Sequence, residues 1–249
     1  MLVLRSLLFN AAFYLSLCLQ LLYAVTTLVM PRMAIVRVAQ FWGVSSVWLM
    51  RVIVGTRAEF RGVERIPPGG ILVAAKHQSF WETFALLRFF DQPTYILKRE
   101  LTWIPVFGWL LLKAGMIPVD RGAGGAAIAG MNRRAIRAVR MGRQILIFPE
   151  GTRRAPGAEP AYKTGVAHLY KTLEVPCLPV ALNSGVFWPR RRFLRRPGTI
   201  VVEFLDPIPP GLERGEFLEV LTERIETASR RLLDEAEIAE RSASEPPAS

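Results

Sequence analysis

From Ser6 to Pro31 the chain carries no formally charged side chain, and the run Leu7 to Met30 is long enough to cross a hydrocarbon core of about 30 Å. No other feature constrains the fold as tightly. A cleaved signal peptide fits poorly, because the run exceeds the usual apolar region of about 7–15 residues and no small-x-small site closes it before Pro31 and Arg32. Asn10, Ser16, Gln20, Thr26 and Thr27 suit an interface or a neighbouring helix better than bare lipid. The next stretch, Met33 to Val54, sets Phe41, Trp42 and Trp48 among aliphatic residues with Arg37 and Arg51, as a helix at headgroup level does. Residues 1–56 therefore read as a helical hairpin that anchors the chain, interfacial or partly inserted. The competing reading, a buried helix of a soluble core, is disfavoured by the uniform apolarity of the first stretch.

The remaining length, within a total of 249 residues of which 51% are hydrophobic, suits one catalytic-size domain and excludes a many-domain or wholly disordered chain. Against 21 Asp and Glu stand 32 Lys and Arg, a net charge of +11, so polyanions or an anionic membrane surface are the natural partners. The two cysteines, Cys18 and Cys177, sit in apolar runs and offer neither a disulfide framework nor a Cys-rich metal site. Two histidines, His77 and His168, exclude histidine-rich metal chemistry.

After Gly55 a short strand at 57–62 and a turn at 66–70 give way to apolar runs of strand length: 71–75, 93–97, 116–119, 144–148, 177–182 and 199–204. Helical patterns separate them. The expected fold is α/β, a mostly buried mixed sheet flanked by helices with an N-terminal membrane-associated hairpin. Phe217, Leu221, Ile225, Ala228 and Leu232 recur at helical spacing and predict an amphipathic helix packed on the domain. The catalytic domain is expected over 57–240, and 241–249, polar with two prolines, as a disordered tail.

The segment Ile71 to Glu82 carries the most chemistry. A buried strand delivers His77 to the C-terminal edge of the sheet, where open α/β sheets place their ligands, and Ser79 reads as the N-cap of the following helix. Glu82 in the first turn can then reach back to the imidazole, fixing the tautomer in which Nε2 accepts a proton. The plainer reading is a capping box, in which Glu82 satisfies the Ser79 backbone N–H, and one carboxylate can do both. A second strand ends at Pro149, and the turn Glu150-Gly151-Thr152 presents Arg153 and Arg154, whose planar guanidinium forks suit a phosphate. Lys163 adds a candidate cation.

With its four-residue spacing from His77 to Glu82, followed by Phe148-Pro149-Glu150-Gly151-Thr152-Arg153, the chain resembles the glycerolipid acyltransferases, and within them the 1-acyl-sn-glycerol-3-phosphate acyltransferases. Two further blocks carry the resemblance, Lys98 to Trp109 and Val175 to Gly185, so that it runs from about Phe60 to Trp188. One residue departs: the family's histidine motif ends in aspartate, where this chain has Glu82. The longer side chain keeps the charge and acceptors.

The resemblance implies acyl transfer to the sn-2 hydroxyl of a lysophosphatidic acid, with His77 taking the hydroxyl proton and Glu82 stabilising the imidazolium. It implies a phosphate site from Arg153 with Lys98 or Arg99, shaped by Glu150, Gly151 and Thr152, and an acyl or thioester region along Val175, Pro176 and Pro179. No cofactor is implied beyond the co-substrate, an acyl-CoA or acyl carrier protein thioester, and its availability places the site on the cytoplasmic side of the inner membrane. Another lyso-lipid is the alternative acceptor. The cluster Arg190, Arg191, Arg192, Arg195 and Arg196 around Phe193 and Leu194 suits anionic headgroups or the acidic face of a carrier protein.

Two rival readings fail. Gly122 to Ala127 fits a short dinucleotide-binding pattern, but a flexible loop before a helix starting near Ala126 explains it. Nucleic-acid binding is excluded because the basic residues are dispersed and an uncharged apolar stretch has no place in it.

Overall fold

The computed structural model describes residues 1–120 and 124–244 of the chain. Helix α1 (Leu2–Thr26) and helix α2 (Arg32–Leu49) form the hairpin, joined across a short turn and tied by Gln20 Nε2 donating to Ser45 Oγ at 3.3 Å. Pro31 fits the start of α2, where no amide donor is needed, and a π-helical turn at Met50–Val54 ends in left-handed Gly55. Both helices are long and apolar enough to cross a membrane, yet only 17% and 28% of their most apolar windows are buried. That exposure separates them from the core helices of a soluble protein.

One face of α1 does turn inward. Ser6, Phe9 and Phe13, spaced three and four apart, are buried, and Phe9 and Phe13 join Met50, Val54, Val73, Val180 and Val202 in one core cluster. The hairpin and the sheet therefore share one core.

Seven strands build the sheet: β1 (Thr56–Arg61), β2 (Leu72–Ala75), β3 (Pro93–Lys98), β4 (Ile117–Val119), β5 (Gln144–Ile147), β6 (Cys177–Leu182) and β7 (Gly198–Phe204). They lie in the order β1-β7-β6-β2-β5-β3-β4, parallel throughout except where β7 meets β6. The sheet is thus mixed, and β6, β2, β5, β3 and β4 all end at one edge. Central β2 and β6 are buried along their whole length, which is why they read as unbroken apolar runs.

Strand alternation sorts the two faces. Ile71, Val73 and Ala75 point into the core closed by the hairpin and the short helix α3 (Glu82–Ala85). Leu72 and Ala74 point the other way, toward residues of α5 (Gly124–Arg140), α6 (Gly165–Leu173) and α8 (Arg214–Ser244). Two short helices, α4 (Phe107–Lys113) and α7 (Ser184–Phe187), follow β3 and β6. In α8 the buried stripe is Phe217, Leu221, Ile225, Ala228 and Leu232, as the spacing predicts.

One expectation is corrected here. Helix α8 continues through Arg241 to Ser244, because the run after Leu232 is rich in Ala and Glu and Arg241 pairs with Glu237 at 3.5 Å one turn back. Residues 245–249 of the expected disordered tail lie outside the described residues. So does the start of the glycine-rich run at Gly122; helix α5 begins at Gly124, two residues before the expected Ala126.

Candidate active site

Strand β2 stops at Ala75, and the next two residues have opposite fates: Lys76 turns into the interior at 2% exposed, while the His77 side chain keeps 12% of its surface open. His77 Nδ1 lies 2.9 Å from Glu82 Oε1. The same oxygen accepts the backbone N–H groups of Gln78 and Ser79, at 2.8 and 2.7 Å, and Oε2 accepts Ser184 Oγ–H at 2.7 Å. Four donors thus converge on one fully buried carboxylate, which assigns the proton to Nδ1 and leaves Nε2 as the acceptor. Phe148 stacks on the imidazole at 4.0 Å and 15°. Among the described residues Nε2 has no hydrogen-bond partner.

The extra methylene of Glu82 is absorbed, and both sequence readings of this residue hold at once. The helix start differs from the expectation. Trp81, not Ser79, is the N-cap of α3, and Ser79 Oγ accepts from the Trp81 N–H at 3.2 Å. The carboxylate of a residue at the very start of a helix reaches back along the chain more easily than one a turn further in.

The turn after β5 grips the main chain of His77 from both sides. Glu150 Oε2 accepts the His77 N–H at 3.2 Å, and the Arg154 N–H donates to His77 O at 2.8 Å. Gly151 closes the turn by donating to Phe148 O at 2.9 Å, with a φ of 67°. Glu150 is not placed to touch a phosphate: it is buried, and its Oε1 accepts Lys76 Nζ at 3.0 Å. Its part in the site is the shaping of that turn. Lys76 also donates to Glu226 Oε1 on α8 at 2.6 Å, and Tyr162 OH donates to the same oxygen at 2.8 Å. Burial, reinforced by Glu226, pushes the Tyr162 hydroxyl pKa up.

Arg153 comes to the site. Its guanidinium lies over the Phe80 ring at 5.2 Å; burial lowers its pKa, opposed by the charge of Glu82 and aided by Arg190. Phe80 in turn meets Phe13 of the hairpin edge-on at 6.2 Å and Trp188 at 6.4 Å, so aromatic contacts of about 0.5–1.5 kcal/mol each link the hairpin to the site. Thr152 is exposed beside Arg153. Lys98 ends β3 and Arg99 opens the 3-10 turn after it, at the same sheet edge, two strands from β2 or roughly 10 Å. Both are exposed, and Arg99 pairs with Asp120 at 3.0 Å.

Val175 and Pro176 are not brought to His77. Pro176 O accepts the Leu72 N–H and Cys177 stands opposite Leu72, so both residues lie at the far edge, about 16 Å along the strands from His77. Pro179 is buried opposite Ala74. The near end of that block, Ser184 and Gly185, supplies the contacts instead, with the Gly185 N–H donating to Gln78 Oε1 at 3.0 Å. In the arginine cluster Arg195 is buried against Trp188 at 4.4 Å and bonds carbonyls of its own loop, which leaves four arginines exposed to a partner.

The family described as Acyltransferase matches residues 57–183, just over half of the chain. This chain belongs to the acyltransferase family. It is 39% identical over 165 residues to a 1-acyl-sn-glycerol-3-phosphate acyltransferase of Pseudomonas aeruginosa, covering 66% of this chain and 64% of that one. It is 31% identical over 162 residues to a mouse (Mus musculus) 1-acyl-sn-glycerol-3-phosphate acyltransferase alpha, covering 64% and 57%. The match thus spans less than two thirds of the length of each of these relatives. In fold it is similar to the crystal structure of the 1-acyl-sn-glycerophosphate acyltransferase of Thermotoga maritima, with a TM-score of 0.76 at 22% identity, covering 93% of this chain and 98% of that one.

Within this acyltransferase-family site, sequence reasoning missed Lys76, Gln78, Ser184 and Glu226. A lysine directly after a buried strand was the available signal, since a charge there demands a partner. Nothing local points to Glu226.

Proposed function

We propose that the chain transfers a fatty acyl group from an acyl-CoA or acyl carrier protein thioester to the sn-2 hydroxyl of 1-acyl-sn-glycerol-3-phosphate, giving phosphatidic acid. The observation that carries this reading is the 2.9 Å contact from His77 Nδ1 to Glu82 Oε1, which leaves Nε2 to accept a proton. As the hydroxyl oxygen attacks the thioester carbonyl, Nε2 takes its proton, and the buried Glu82 carboxylate faces the imidazolium that forms. The tetrahedral adduct collapses, the C–S bond breaks, and the imidazolium returns the proton to the departing thiolate.

An acyl-enzyme has no nucleophile here. Ser79 Oγ accepts from Trp81 N, Ser184 Oγ donates to Glu82, and among the described residues no serine or cysteine contacts Nε2. General-base help is worth about 10²–10⁴-fold, so the remainder falls to positioning of the two substrates. Arg153 binds the acceptor phosphate, with Lys98 and Arg99 on the same rim. The relatives' names support this acceptor. The hairpin and the exposed arginines of the 190–196 loop hold the protein to an anionic leaflet, on the cytoplasmic face of the inner membrane where the thioesters are found.

The test is purified protein with a radiolabelled acyl donor and a panel of lyso-lipids with and without a phosphate. Labelled phosphatidic acid that disappears in His77→Ala is the expected result. Transfer that survives this substitution rejects the mechanism, and a phosphate-free acceptor used equally well rejects the acceptor assignment.

A further inference from the structure

Between β3 and α4 the chain holds apolar side chains out into solvent. Trp103 and Trp109 are 64% and 56% exposed, and Leu101, Ile104 and Leu112 are exposed beside them. Single apolar residues are ordinary on a surface; a patch with two tryptophans is not.

The backbone that presents this patch is strained. The Phe107 N–H donates to Pro105 O at 2.7 Å, closing a γ-turn around Val106, whose φ of 63° and ψ of −58° are unfavourable for a β-branched residue. Strain of this kind, about 1–3 kcal/mol, survives where the surroundings fix it and clusters at functional segments. Gly108 is required for the fold-back, because a Cβ there would stand 2.1 Å from Thr102 O.

Charge and continuity name the occupant. Lys98 and Arg99 precede the patch, Lys113 follows it, and the Arg99 guanidinium lies 5.5 Å over the Trp103 ring. Tryptophans among cations are the composition of a membrane–water interface. Leu110 of α4 and Ala114 just after it pack with Ala24 of α1 and Ile35 of α2, so the patch continues the surface of the hairpin at its turn. Because β3 ends at the same edge as β2, the patch also lies on the His77 side of the sheet.

We propose that Leu101–Leu112 is a second bilayer contact, resting on the membrane reading of the hairpin given above: its tryptophans sit at the headgroups of an anionic leaflet and hold the catalytic edge against the surface that supplies the lyso-lipid. Hairpin and patch then form one continuous attachment surface that reaches the site's edge of the sheet.

The test places an environment-sensitive fluorophore on Trp109→Cys, on Leu19→Cys in α1 and on Ile238→Cys in α8, each in full-length protein carrying Cys18→Ser; Cys177 is buried. The proteins are reconstituted in vesicles of phosphatidylethanolamine and phosphatidylglycerol, with spin-labelled lipid as quencher. Labels at 109 and 19 are expected to shift to the blue and be quenched, and the label at 238 to do neither. A label at 109 that behaves like 238 while 19 is quenched overturns the inference and leaves the hairpin reading standing. If 19 is unquenched as well, both fall. A shift at 109 that needs acyl carrier protein instead of vesicles assigns the patch to that partner and overturns the proposal. As a second readout, Trp103→Ser/Trp109→Ser is expected to lose about tenfold in kcat/KM on vesicle-borne lysophosphatidic acid and nothing on a short-chain soluble analogue; equal loss on both also overturns it.

Discussion

Lys76 Nζ stands 2.6 Å from Glu226 Oε1, so the residue beside His77 is held by a helix 150 positions further along the chain. With Glu150 as the second carboxylate at 3.0 Å, the ammonium is enclosed between two acidic groups. Removing one partner of a buried pair leaves uncompensated charge, at about 3–5 kcal/mol. Lys76→Met strips the cation from both carboxylates and is expected to destabilise the fold on that order. Glu226→Gln leaves Lys76 paired with Glu150 and is expected to lose clearly less. Denaturant melts of the solubilised protein rank the two, and an equal loss contradicts the network described here.

The donors on Glu82 make a graded series. Glu82→Gln keeps an oxygen for the Gln78 and Ser79 N–H groups but removes the charge facing the imidazolium, and kcat is expected to fall by about 10²-fold or more. Ser184→Ala deletes one of four donors, and the expected loss is about tenfold. Single-turnover acyl transfer measures both; a Ser184→Ala defect as large as that of Glu82→Gln shows that the charge is not what matters.

Arg153 answers a separate question. Charge-assisted hydrogen bonds are worth about 1.5–3 kcal/mol, so Arg153→Ala is expected to raise KM for lysophosphatidic acid by about 10–100-fold with a smaller effect on kcat. Arg153→Lys keeps the charge without the fork and falls between. An equal rise with a phosphate-free acceptor removes the phosphate from the explanation.

Gly185 tests the packing under the motif. A Cβ there would meet Gln78 Cβ and Pro156 at 2.9 Å, too close to be accommodated without movement. Gly185→Ala is expected to push the Gln78 loop and lower kcat by on the order of 10-fold, since misplacement of about 1 Å at a reacting group can cost more. Activity at the parental level shows that the loop yields without disturbing His77.

The strands were legible because parallel strands buried on both faces are nearly continuous apolar runs: Cys177–Leu182 matches its predicted bounds, and Gln144–Ile147 differs by one residue. The stripe from Phe217 to Leu232 was legible for the same reason, at helical period. His77 and Glu82 were legible as a pair because only four residues separate them across one turn. Glu226 was not, because its meaning depends on α8 crossing the sheet, which no local pattern encodes. The inward turn of Arg195 was hidden likewise, since five clustered arginines read alike until Trp188 is seen beneath one of them. The far-edge position of Val175 and Pro176 follows from the β6 register, and a block of residues quoted in a line says nothing about which end faces the chemistry.

The contact between Lys76 and Glu226 has a consequence for the order of synthesis. The hairpin and His77 are synthesised well before Glu226, which lies 150 positions after Lys76. A nascent chain can form the segment from His77 to Glu82 while Lys76 still lacks one of its two counter-ions. The Lys76 network is then completed only by the docking of α8.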